Sequence, residues 1–272
     1  MVAAAAALLP AAGAQEIRFK FDVPYVPTPQ VVVDEMLKMA NVGPQDYVLD
    51  LGSGDGRIVI TAAQKFGARG MGVDLDAELI GYSEENARRA GVESRVKFVE
   101  QDIFKTDLTP ATVITLYLLP AVNRRLKPQL LALKPGTRIV GHDFDLEDWK
   151  PDHKATIRKN VFLWIVPARV AGRWQASLAL PPIERQLELE LTQRYQEVSA
   201  HARLNGVPTQ VWEPKLSGDR LSFVMVDGAD RDNEASLYFD GRVSGDVIEG
   251  ELVRGVGSSR SVIKWRAART GK

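Results

Sequence analysis

The sequence predicts an α/β domain built on a doubly wound, mainly parallel sheet, followed by a smaller all-β antiparallel barrel or sandwich domain. Three observations predict it. Residues Tyr47 to Ile60, YVLDLGSGDGRIVI, read as a buried strand, a glycine turn and a helix start. Up to Pro167, short apolar runs ending in acids alternate with helical stretches, the pattern of βαβ units. Beyond Pro167 the helical periodicity disappears, and eight short alternating segments follow, separated by turn signals. The expected organisation is residues 1–20 as a signal-like or disordered N-terminal segment, 21–168 as the α/β domain and 169–272 as the β domain.

Tyr47, Val48, Leu49 and Leu51 suit a parallel strand buried on both faces. Gly52, Gly54 and Gly56 then let the backbone turn sharply and let a ligand approach it closely, with Ser53 between them as a further candidate contact. The helix opening at Arg57 aims its first-turn N–H groups at that turn. Asp50 and Asp55 put carboxylates near those donors. They repel a pyrophosphate, whereas a ligand carrying an ammonium, a sulfonium or hydroxyls tolerates or uses them. The dinucleotide fingerprint G-x-G-x-x-G/A, counted from Gly52, needs its third glycine at position 57, which is Arg57. This chain reads G-x-G-x-G instead; a glycine turn with no ligand is the bland alternative.

At this spacing the chain resembles the class I S-adenosylmethionine (SAM)-dependent methyltransferases, with their Rossmann-like sheet. Their first motif looks like D-x-G-x-G-x-G with the leading acid facing the methionine amino group, which implies that role for Asp50. A second strand, Ala68 to Asp74, ends in an acid about twenty residues after the turn, from where a carboxylate can take both ribose hydroxyls. Asp74 is the candidate ribose ligand, with Leu75 beside it. Asp76 is better placed to cap the helix AELIGYSEENARRAG, which ends at Gly91. A third strand, Val96 to Val99, leads to Asp102 and Ile103, where the resemblance implies an acceptor for the adenine amine and a residue packed on the ring.

A fourth strand, Ala111 to Leu116, runs into Tyr117-Leu118-Leu119-Pro120. Ligands of open α/β sheets sit outside the carboxyl ends of the strands, so Thr115, Tyr117 and Pro120 are candidates to line the methyl-acceptor channel. The competing reading is an ordinary buried strand end. Together with VPTP (Val26 to Pro29), DLGSGDGRIVI and NRRLKPQLLALKPGTRIV, the strand TVITLYLLP narrows the resemblance. It is similar to a family of lysine methyltransferases whose eukaryotic members modify the adenine nucleotide translocase and the ATP synthase c subunit, over roughly Phe21 to Pro167. The resemblance implies SAM as cofactor and a protein-lysine acceptor, a membrane-associated one included. It also implies that the VPTP segment helps close the cofactor pocket, making Tyr25, Val26 and Thr28 candidate contacts; a rigid proline arm without a ligand role is the alternative.

Methyl transfer from a sulfonium demands alignment and exclusion of water, and needs no metal and no covalent residue. A fifth strand, Thr137 to Gly141, precedes His142-Asp143-Phe144-Asp145-Leu146-Glu147-Asp148-Trp149. That acidic loop is suited to attracting a cationic acceptor such as Lys; a metal site and a solvated loop compete with this reading, and no metal is expected. His142 stands where the resembling proteins more often have Ser.

The 272 residues carry 35 basic and 35 acidic side chains, so no global charge favours nucleic acid, and no nucleic-acid partner is expected. There is no cysteine, which excludes disulfides, thiolate metal sites and cysteine nucleophiles. MVAAAAALLPAAGAQE has the apolar run and small-residue site of a secretory signal without its basic leader, and is too short for a secure membrane span. An exported or periplasmic location follows from a signal; a cytoplasmic one follows from the source of SAM.

The eight later segments are Arg173 to Leu180, Gln186 to Arg194, Glu197 to Leu204, Gln210 to Lys215, Arg220 to Val226, Ala235 to Val243, Val247 to Val253 and Ser261 to Ala268. Asn205-Gly206, Ser217-Gly218-Asp219 and Gly245-Asp246 mark hairpin turns, so a meander closing on itself is expected. Trp174, Tyr195, Trp212, Phe223, Tyr238, Phe239 and Trp265 are expected to fill the barrel, with an apolar ligand cavity as the alternative. This domain is expected to position a protein acceptor or anchor an assembly. Three function classes follow: a SAM-dependent N-methyltransferase acting on protein lysine, a small-molecule methyltransferase, and an exported binding protein with a degenerate methyltransferase scaffold.

Overall fold

A computed structural model describes residues 25–180, 183–227, 235–255 and 260–271. The signal-like segment 1–20 lies outside the described residues. The first unit contains α1 (Gln30–Met39), β1 (Tyr47–Leu51), α2 (Arg57–Phe66), β2 (Arg69–Asp74), α3 (Ala77–Ala90), β3 (Val96–Glu100), β4 (Val113–Leu116), α4 (Pro120–Leu131), β5 (Arg138–His142), β6 (His153–Ile157) and β7 (Lys159–Ile165). Its seven strands lie in the order β3-β2-β1-β4-β5-β7-β6. Strands β1 to β5 run parallel, and β7 returns antiparallel between β5 and β6.

Alternation along each strand divides the core. Val48, Val113 and Val140 face the apolar sides of α1 and α2, whereas Leu49, Leu51, Ile114, Leu116 and Ile139 face α4. Asp50 and Thr115 are paired across β1 and β4 and share the parity of Val48 and Val113, so they lie on the α1–α2 side near the carboxyl ends. The strand order reverses between β1 and β4. This is the switch point at which open α/β sheets leave a crevice beyond the strand ends.

The expected elements appear with shifts of one or two residues at their ends. Asp76 caps α3 by accepting from the Glu78 N–H, and Gly91 ends it in the left-handed region. Residues 153–165, outside the expected strands, form β6 and β7. KNVFLWI pairs there as β7, because Phe162 and Trp164 on one face and Val161 and Leu163 on the other complete the cores on both sides of β5.

The second unit is one antiparallel sheet of β8 (Gly172–Leu178), β9 (Arg185–Arg194), β10 (Glu197–Leu204), β11 (Val207–Thr209), β12 (Val211–Ser217), β13 (Arg220–Asp227), β14 (Ala235–Ser244), β15 (Val247–Arg254) and β16 (Ser261–Gly271). The order is β11-β10-β9-β8-β16-β15-β14-β13-β12, and the sheet curls into a nearly closed barrel. All eight expected strands are present, and β11 is an additional short one after the Asn205-Gly206 turn.

Within the barrel Phe223 and Phe239 stack at 4.5 Å, and Trp265 stands edge-on to both at 6.1 and 5.1 Å. Trp174 is buried and donates its indole N–H to the Val170 carbonyl at 2.8 Å. Trp212 and Tyr238 do not fill the barrel: at 51% and 42% exposure they lie outside, since the strand alternation that turns Phe223 and Phe239 inward turns them outward. Register places Trp212, Val224, Tyr238, Val253 and Val262 in one cross-strand row.

Tyr195 leaves the barrel core altogether. Its ring stacks on Trp149 at 5.8 Å, and its hydroxyl donates to Asp148 at 2.9 Å, joining the β9–β10 turn to the loop after β5. Among the described residues no helix is long and apolar enough to cross a membrane.

Trp265→Ala removes the ring that both phenylalanines pack against. It should lower unfolding stability by about 3–5 kcal/mol, measured by urea denaturation followed by circular dichroism.

Candidate cofactor and acceptor site

A cleft of about 410 Å³ opens beyond the carboxyl ends of β1 and β4, between the glycine turn and residues 117–122. The turn is held by the neighbouring strand. Gly52 and Ser53 both donate backbone N–H groups to the Val73 carbonyl at 2.9 Å, and Gly54 N–H donates to Asp74 Oδ2 at 2.9 Å. The other Asp74 oxygen accepts from Asp76 N–H at 3.1 Å. Gly54 has φ 55°, and a Cβ there would lie 2.3 Å from the Tyr25 ring, so only glycine lets the arm close over the turn.

Gly56 is displaced from its expected role. It caps α2 at φ 77° and does not line the cleft; a Cβ would collide with the Phe98 ring at 2.6 Å, so its missing side chain serves packing beneath the turn.

Asp50 is 2% exposed and accepts from the Thr115 hydroxyl at 2.6 Å. Burial pushes its carboxyl up to about 7; the Thr115 bond opposes the rise, and Asp74 and Asp55 add to it. Thr115 is therefore not an acceptor-channel residue. It is fully buried with its hydroxyl spent on Asp50, its register partner across β1 and β4, and it lies outside the cleft lining.

Pro120 is corrected too. It opens α4 as a first-turn proline and is absent from the lining, which Leu119 and Val122 supply instead. Tyr117 does line the cleft, its ring 4.0 Å from His142 and 6.4 Å from Phe144.

The arm before α1 forms the opposite wall through Tyr25, Val26, Pro27 and Thr28. Arg57 holds it, donating Nη1 to the Thr28 carbonyl at 3.0 Å while its Nε and Nη2 grip Asp55 at 2.9 and 2.6 Å. The Thr28 hydroxyl shares a hydrogen bond of 3.3 Å with His142 Nδ1. Burial lowers the His142 pKa, which favours the neutral ring.

Leu75, Asp102 and Ile103 line the remaining end. Asp102 uses one oxygen to cap the short turn Ile103–Lys105 by accepting from Phe104 N–H at 2.9 Å. Sequence reasoning missed Leu79, Phe104, Leu118, Leu119, Val122 and Phe144, all apolar cleft residues. No motif marks them, since each follows from chain path and not from spacing.

Three of the four carboxylates of the acidic loop are already paired with cations, and the fourth, Asp145, is exposed and accepts from the Glu147 N–H at 3.0 Å outside the cleft lining. Lys159 pairs with Asp143 at 3.0 Å, Arg124 with Glu147 at 2.6 Å, and Lys127 and Arg194 with Asp148 at 2.6 and 3.1 Å. Leu146 and Trp149 are buried, so the loop serves as a joint, with Phe144 alone of its aromatic residues lining the cleft.

The cleft thus carries the carboxylates of Asp50, Asp55, Asp74, Asp76 and Asp102 with apolar walls between them. Asp55 is spent on Arg57 and Asp76 on the cap of α3, which leaves Asp50, Asp74 and Asp102 as acceptors for the cationic or hydrogen-bond-donating groups of a ligand. Ser53 Oγ is buried with no hydrogen-bond partner among the described residues, the condition of a polar atom whose partner is a ligand.

Residues 50–153 match the family model described as the ANTKMT methyltransferase domain. A protein-lysine N-methyltransferase of Saccharolobus islandicus is 42% identical over 151 residues, covering 53% of this chain and 94% of that protein. The mouse adenine nucleotide translocase lysine N-methyltransferase is 35% identical over 53% of this chain, which spans 63% of that enzyme. The crystal structure of an RNA methyltransferase from Salinibacter ruber in complex with S-adenosyl-L-homocysteine is 48% identical, with a TM-score of 0.52, covering 53% of this chain and 96% of that one. The family match, residues 50–153, contains the glycine turn and the acid-ended strand β2. The chain belongs to the family of SAM-dependent methyltransferases that the ANTKMT methyltransferase domain represents.

Proposed function

We propose that this chain methylates a nucleophilic nitrogen, a protein lysine side chain. The observation that carries the proposal is the chemical division of the cleft, with carboxylates on the cofactor side and Tyr117, Leu119, Val122 and Phe144 on the other. The lysine activities of the Saccharolobus and mouse relatives support it.

Bound SAM supplies an activated methyl group; the nitrogen–carbon bond forms as the sulfur–carbon bond breaks, and the electron pair stays on sulfur. The chain's own residues align and exclude water. Asp50 pairs with the methionine ammonium, Asp74 takes the ribose hydroxyls, and Asp102 accepts from the adenine amine beside Ile103. The apolar acceptor wall disfavours a charged ammonium, lowering the amine pKa so that lysine reaches the methyl group neutral.

The Salinibacter enzyme favours a second reading, RNA as acceptor. An RNA acceptor needs cations to pair with phosphates. Among the described residues Arg57 is the one cation lining the cleft, and it is spent on Asp55 and the Thr28 carbonyl. The lysine reading is preferred on that ground. The outer barrel row of Trp212, Val224, Tyr238, Val253 and Val262 adds an apolar surface of the kind a protein acceptor would contact.

Tritiated-methyl labelling of a cell extract, resolved into protein, RNA and small-molecule fractions, should place label in protein as methyl-lysine. Trp212→Glu should reduce that label with SAM affinity unchanged. Label confined to RNA or small molecules would falsify the lysine reading.

A second expectation concerns Asp50. With its carboxyl near 7 before binding, the ammonium must draw it into the charged form, so SAM binding releases a proton below pH 7. Affinity measured by isothermal titration should fall by up to about tenfold per pH unit below 7 and level off above it. Asp50→Asn should bind more weakly with a flat profile; an equally steep profile in that variant contradicts the assignment.

A further inference from the structure

His142 stands at the end of β5, where two walls of the cleft meet, and touches both without lining the cleft itself. On one side its Nδ1 shares the hydrogen bond with the Thr28 hydroxyl at 3.3 Å, across 114 residues of sequence. On the other its ring lies 4.0 Å from the Tyr117 ring, tilted by 37°. Thr28 is 4% exposed and His142 is 2% exposed, so neither has water to replace this contact. His142 Nε2 is buried with no hydrogen-bond partner among the described residues, which leaves the Thr28 bond as the ring's one polar anchor there.

The arm is otherwise attached to the body of the domain by the Arg57 bond to the Thr28 carbonyl and by Tyr25 packed over Gly54. Both lie on the glycine-turn side. His142 attaches the arm on the acceptor side.

We infer that His142 is a positioning residue that latches the arm Tyr25 to Thr28 over the cofactor site and, with the same ring, sets Tyr117 at the acceptor wall. One side chain thereby couples closure of the cofactor pocket to the shape of the acceptor pocket. The inference rests on the cleft holding SAM and is independent of which acceptor the enzyme uses. The two functions of the ring separate chemically. A phenyl ring at 142 retains the packing on Tyr117 and loses the bond to Thr28; an amide retains a hydrogen-bonding group and loses the ring.

The test is a double-mutant cycle on SAM binding by isothermal titration with His142→Phe, Thr28→Val and the double variant, melting temperatures being recorded alongside. Each single change should weaken SAM binding about fivefold, the scale of one buried neutral hydrogen bond, and the double change should add nothing further. His142→Asn should keep SAM affinity within about twofold, yet slow methyl transfer into whichever extract fraction the wild-type protein labels. Additive losses in the cycle overturn the latch, as does unchanged SAM affinity in both single variants. Unchanged transfer in His142→Asn, or losses that merely track a lower melting temperature, overturn the positioning of Tyr117. If the wild-type protein itself gives no heat with SAM, the cofactor reading of the cleft fails and takes this inference with it.

Discussion

The carboxylate of Asp74 is the constraint on which the site is built. It closes the end of β2 onto the glycine turn by accepting the Gly54 and Asp76 N–H groups, while the Val73 carbonyl beside it takes those of Gly52 and Ser53. These four bonds set the height of the turn above the sheet. The arm can then lie flat on Gly54, and Arg57 can reach back to the Thr28 carbonyl. Hydrogen bonds from two backbone N–H groups also keep the Asp74 carboxylate oriented before any ligand arrives, so a hydroxyl pair meets an acceptor that needs no rearrangement.

What could be read from the sequence was the part written in short-range spacing. The interval from Asp50 through Gly52, Gly54 and Gly56 excludes the dinucleotide turn, and the acids at or just beyond the ends of the second and third strands, Asp74 and Asp102, line the cleft. Strand alternation beyond Pro167 exposed nearly the whole barrel, because hairpins announce themselves through adjacent residues. The failures share a different cause. Thr115, expected in the acceptor channel, is instead buried as the hydrogen-bond partner of Asp50, a contact set by the register of β1 against β4 between residues 65 positions apart. Gly56, expected at the cofactor, and Pro120, expected in the acceptor channel, have their chemistry satisfied locally, by Phe98 beneath the turn and by the first turn of α4. The apolar wall from Leu119, Val122 and Phe144 has no spacing signature at all.

The acidic loop after β5 shows how charge in a sequence misleads when its partners are distant. Glu147 and Asp148 are answered by Arg124 and Lys127 from α4 and by Arg194 from the barrel. Tyr195 stacked on Trp149 and Gln196 accepting from the Trp149 indole complete a joint between the two units. Surface ion pairs of this kind contribute little each, so the joint depends mainly on the buried Trp149. Its position matters for function, because the same loop carries Phe144 into the cleft and α4 begins at the acceptor wall.

The most direct test of this account is isothermal titration of SAM into the protein and its Asp74→Ala variant, with circular dichroism to compare their folds. The account predicts one-to-one binding by the wild-type protein and a loss of at least about tenfold in the variant, the scale of a charge-assisted hydrogen-bond pair to ribose. Equal affinity in the two proteins would contradict it.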